Sequence, residues 1–76
     1  MTLTTDQRRA LEILARRPNG WTGATLRAHG FGVGLLDGLV RDGLTTASHE
    51  IVMASHRRIT VTRVRITNVG RRALAL

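Results

Sequence analysis

The 76-residue chain contains no cysteine. That excludes a disulfide framework, a thiolate metal site and a cysteine nucleophile. A chain this short buries a modest share of its surface, so its 42% hydrophobic content must hold the fold, marginally or with help from oligomerisation. Lysine is also missing: all twelve basic residues are arginines. The five acidic residues are too few and too scattered for acid/base chemistry. The aromatics are Trp21 and Phe31 alone; both read as core, which leaves little to stack on single-stranded RNA. No apolar run is long enough to span a bilayer. The opening M-T-L-T-T-D-Q-R-R is polar, charged by residue 6, and has no apolar targeting segment. A soluble, cytoplasmic chain is expected.

What is present is positive charge. Twelve arginines against five acids leave a net +7. Arginine grips phosphate oxygens in two-pronged geometry and stacks on flat groups, as lysine cannot. A GC-rich genome accounts equally well for arginine over lysine, but not for the excess of one sign. That excess implies a polyanionic partner, most often nucleic acid, less often a membrane surface or an acidic protein.

Along the chain, Thr4, Thr5 and Asp6 offer capping oxygens, and Gln7 to Arg17 reads as a helix. Ala10, Leu11, Leu14 and Ala15 share one face, with Ile13 at its edge and Arg8, Arg9, Glu12 and Arg16 mostly on the other. Pro18-Asn19-Gly20 stops it. Thr22 caps a short second helix, Gly23 to His29, with Leu26 its main contact, Gly30 its terminator and Trp21 placed to staple it. Leu35, Leu36, Leu39 and Val40 have the spacing of a third helix that ends at Gly43. Its internal Gly34 and Gly38 each cost roughly 1 kcal/mol against alanine. From Leu44 to Thr67, threonine, valine and isoleucine predict two strands around an A-S-H-R-R turn, Ala54 to Arg58. Alternation slips between Ile59/Val61 and Val64/Ile66, which predicts a bulge near Thr62. Thr67-Asn68 then caps a last helix through Val69, Ala73 and Leu74. One domain, residues 1–76, is expected.

Three segments in this order resemble the winged helix-turn-helix family, in particular MarR-like and PadR-like transcription regulators. R-R-A-L-E-I-L-A is similar to the family's first helix. Leu36, Leu39, Gly43 and Leu44 match the "L-x-x-L-x-x-x-G-L" end of its third helix. Ile66, Thr67, Gly70, Arg71 and Leu74 resemble the "L-T-x-x-G-R-x-x-L" step after the wing. The resemblance implies an α+β fold: a three-helix helix-turn-helix core, a two-stranded β wing and a short C-terminal helix. It also implies double-stranded DNA as partner, a role in transcription regulation, and a homodimer through the first and last helices, around Ile13, Leu74 and Leu76.

On that footing His56, Arg57 and Arg58 at the wing tip, with Arg63 and Arg65 further along, are expected to sit on the sugar-phosphate backbone or enter a minor groove. The third helix would lie in the major groove. Its start, Gly32-Val33-Gly34, lacks side chains that read base edges, and Asp37 opposes phosphate. Arg41 is its one long donor. Arg27 on the second helix adds a phosphate contact, whereas Arg8, Arg9, Arg16 and Arg17 read as a solvated face. Grip on phosphates, more than base readout, is therefore expected. His49 and His56, in an A-S-H repeat, lack a third ligand, so no metal is expected, nor any cofactor. The Ser-His neighbours lack an orienting acid, so no enzyme is expected. Two alternatives remain open on these residues: a protein-interaction module on the same scaffold, and RNA binding.

Overall fold

The computed structural model describes residues 2–75. It is an α+β fold of four helices and one three-stranded antiparallel sheet. Helix α1 spans Thr5–Ala15, strand β1 Trp21–Thr22, helix α2 Gly23–Ala28 and helix α3 Val33–Arg41. Strands β2 (Thr45–Ala54) and β3 (Arg57–Ile66) form a hairpin, and helix α4 covers Asn68–Ala75.

Local chemistry sets most helix boundaries. Thr4 closes a capping box with Gln7, each side chain bonding the other's backbone N–H. Helix α1 therefore starts two residues earlier than the apolar spacing suggests, and it ends at Ala15, short of Arg17. Helices α2 and α3 end in the same way. The Gly30 N–H bonds the Arg27 carbonyl and the Phe31 N–H bonds that of Leu26. One helix later Gly43 bonds Val40 and Leu44 bonds Leu39. Both are Schellman turns, and both need a left-handed residue, which Gly30 (φ +92°) and Gly43 (φ +76°) supply. Each turn drives the next apolar residue, Phe31 or Leu44, into the core beside Leu26 and Leu39. Thr67 caps α4 by accepting from the Gly70 N–H, while its own hydroxyl donates to the Gly43 carbonyl. That pins α4 to the end of α3. A Cβ at residue 70 would overlap the Leu44 carbonyl oxygen, so only glycine permits this approach.

Two expectations change, and Trp21 gains a further role. The sheet has a third strand: Trp21 and Thr22 pair with Val64 and Arg63 on the edge of β3. Trp21 packs on both sides of the turn it occupies. Its indole N–H donates to the Ile13 carbonyl of α1. Its ring lies under the Arg17 guanidinium at 4.2 Å and meets His29 edge-on at 5.6 Å. There is no bulge near Thr62, because pairing runs unbroken from Thr45↔Ile66 to Ala54↔Arg57. The alternation slips because the buried face changes along the strand. At the base the helices cover Val64 and Ile66; further out Ile59 and Val61 lie on the opposite face.

The hairpin thus has an inner face, turned to the helices, and an outer face. Thr45 lies buried at its base on the inner face, its hydroxyl without a hydrogen-bond partner. The turn is two residues, Ser55 and His56, both left-handed (φ 50° and 69°), as the primed hairpin turns require. The described residues span 45 × 22 × 20 Å, and a ten-residue strand alone covers roughly 34 Å, so the hairpin dominates the long dimension. Among the described residues no helix is long and apolar enough to cross a membrane.

Candidate nucleic-acid interface

Strand parity sorts the predicted arginines. Side chains at alternate positions face opposite ways, so Arg58, Thr60, Thr62 and Val64 lie on the inner face and Arg57, Arg63 and Arg65 on the outer one. The contacts agree. Val64 is buried under the helices, whereas Arg63 and Arg65 reach Glu50 across the outer face.

The outer cluster is an ion-pair network. The Arg63 Nε donates to one Glu50 carboxylate oxygen at 2.8 Å and the Arg65 Nη2 to the other at 3.0 Å. Arg65 also donates to the Ser48 hydroxyl at 3.1 Å. The two guanidinium hydrogen bonds hold the Glu50 carboxyl below the usual carboxylate range. Two of the seven predicted site residues are thus tied to one carboxylate. Composition gave no hint of this, since Glu50 is a single acid in a threonine-rich strand. The pairing register is what brings it onto their face, opposite Val61, diagonal to Arg63 and within reach of the longer stretch from Arg65.

The inner face is different. Between α3 and the hairpin runs a cleft of about 320 Å³, lined by Arg27 of α2, Val33, Asp37 and Val40 of α3, and His49 and Thr62 of the hairpin. His49 Nδ1 and the Thr62 hydroxyl lie 3.3 Å apart. Helix α3 buries Leu36 and Leu39 and leaves Val33 55% and Val40 39% exposed. On its outward strip Gly34 and Gly38 face open space, and Arg41 follows them at helical spacing in the last turn. Past the cleft the inner face carries Ile51 and Met53, with Arg58 directly opposite Met53. His56 occupies the turn and Arg57 opens β3 beside it.

The structure therefore brings Arg27, Arg41 and Arg58 to the α3 side of the molecule, with His56 and Arg57 at the far end and Arg63 and Arg65 behind. Of the first-helix arginines, Arg17 is stacked on Trp21, and Arg8 donates to the Leu74 carbonyl at 3.2 Å, tying α1 to α4. Ile13 and Leu74 pack half-buried against the chain's own core; Leu76 lies outside the described residues. Sequence reasoning missed Glu50, Ile51 and Met53. Only a known register reveals which face each one takes. No family model, curated protein or solved structure matches this chain.

Proposed function

We propose that this chain is a winged helix-turn-helix domain that binds double-stranded DNA, a small transcriptional regulator in which arginines grip phosphates. The observation that carries the reading is the shared side of α3 and the hairpin. A helix with a bare, glycine-lined outward strip and a long arm project together, with Arg27 lining the cleft between them, Arg41 at the end of the strip and Arg58 further out on the arm. The net charge of +7 over the chain favours a polyanion over a neutral partner.

In this mechanism α3 rests in or near the major groove. Its glycines allow the backbone close to the duplex but provide no donors or acceptors for base edges. Phosphate contacts from Arg27, Arg41, Arg57, Arg58 and His56 fix register and orientation. Arg63 and Arg65 act mainly through Glu50, stiffening the hairpin from behind. Asp37 limits how deeply the cleft side of α3 meets phosphate.

Fluorescence anisotropy of labelled random duplex, titrated at several salt concentrations, tests this. With some four to six phosphates neutralised, log K should fall with log salt at a slope of about −4 to −5. A flat, weak titration would remove DNA from the account.

The exposed Val33 and Val40 favour a second reading, a protein-interaction module on the same scaffold. A pull-down at high salt separates the two, because an apolar interface persists where phosphate contacts are screened.

A further inference from the structure

Ile51 and Met53 are the most exposed large apolar residues among those described, at 66% and 67%. They stand two apart on β2, so both point from the inner face, on the side of the molecule that α3 shares. Their cross-strand partners are Thr60 and Arg58. Backbone pairing does not require them: Thr60 and Thr62 occupy the same face of the same ladder and are equally good strand formers. An apolar pair held out in water on an arm points to a partner surface.

The surrounding charge narrows what that partner is. From Ile51 to the end of the chain there is no acidic residue, while Arg57, Arg58 and His56 crowd the tip. A second copy docking here would bring like charges together. A duplex offers phosphates to the arginines and a base stack to the apolar side chains.

We propose that Ile51 and Met53 form a wedge that enters a minor groove, opens one base step and bends the duplex, with Arg57 and Arg58 holding the flanking phosphates. Isoleucine and methionine are among the side chains that unstack base steps in this way. The wedge also supplies a sequence preference that α3 lacks. Pyrimidine–purine steps such as TA unstack most easily, whereas A-tracts resist. The inference rests on the DNA-binding reading and adds a deformation to it.

The test uses a duplex with 2-aminopurine at a single TA step and a fluorophore pair on its ends, read with the wild-type chain and with the Ile51→Thr/Met53→Thr double variant. Both positions are exposed and threonine suits a strand, so circular dichroism and thermal melting should match between the two proteins. The wild type should bend the duplex by about 20–90° and raise 2-aminopurine emission. The variant should bind with an unchanged salt slope, leave the duplex straight and lose the preference for TA over an A-tract.

Wild-type binding without bending would overturn the wedge while leaving DNA binding intact. So would a variant that bends as the wild type does. A shift from dimer to monomer in sedimentation of the variant would overturn it too, by assigning the pair to a self-interface. No salt-steep binding by the wild type would remove the DNA reading and the wedge together.

Discussion

The base and the tip of the hairpin share one unbroken ladder and differ in everything that covers it. At the base, Thr45 and Val64 are sealed beneath the helices, with Ile66 half-buried beside them; at the tip, Ile51, Met53 and Arg58 stand on the same face in water. The strand pattern alone treats both ends alike. The difference teaches that burial, not pairing, divides the strand into a structural half and a half free to act. The base holds α4 and α3 together through Thr67 and Gly43, while the tip carries His56, Arg57 and Arg58.

Core substitutions should separate the two halves most strongly. Leu39 is fully buried and forms the Schellman contact from which β2 departs. Leu39→Ala should cost about 2–5 kcal/mol in urea unfolding. Met53→Ala at the tip should stay within about 0.5 kcal/mol. Similar losses at both sites would erase the distinction.

Glycines give a smaller, sharper contrast. Gly70→Ala would drive a methyl into the Leu44 carbonyl and the Ile66 side chain at the base, costing about 1–3 kcal/mol. Gly38→Ala on α3 meets only open space and should stabilise by roughly 1 kcal/mol. Thermal melts of the two variants should move in opposite directions. A shift of the same sign would mean that α4 does not lie against the start of β2 as described.

Acid titration should show the smallest effect. Because its folded-state pKa is lowered by Arg63 and Arg65, Glu50 favours the folded chain above its unfolded pKa and loses that contribution as pH falls through the folded value. Stability should therefore be flat near neutrality on this group's account. Glu50→Gln should reduce the pH dependence only on the acid side. The network is solvent-exposed enough for salt to screen it. A difference between Glu50→Gln and wild type that grows toward alkaline pH would contradict the assignment.

Much of this fold is legible in the sequence because its signals are local. Thr4, Thr22 and Thr67 cap helices with their own hydroxyls, and Gly30 and Gly43 mark helix ends through a backbone conformation that glycine adopts freely. Strand β1 has no such signal: two residues, Trp21 and Thr22, become a strand only because β3 offers an edge. The apparent bulge had the same origin. Ile59 and Val61 look out of step with Val64 and Ile66 until the helices are seen to cover only one end. The basic site is legible as composition but not as geometry. Arg57, Arg58, Arg63 and Arg65 read as one cluster along the chain, yet parity sends Arg58 to the α3 side, and Glu50 takes hold of Arg63 and Arg65.

The most direct test of the central claim is the salt dependence of duplex binding for the wild type, Arg58→Ala and Arg63→Ala, side by side. The inner-face account predicts a slope of about −4 to −5 for the wild type. It should shrink by about one unit in Arg58→Ala, equally on all sequences. Arg63→Ala should change it less, because Glu50 already engages that guanidinium. A slope near zero, or one altered by Arg63→Ala but not by Arg58→Ala, would contradict the account and turn attention to the outer face.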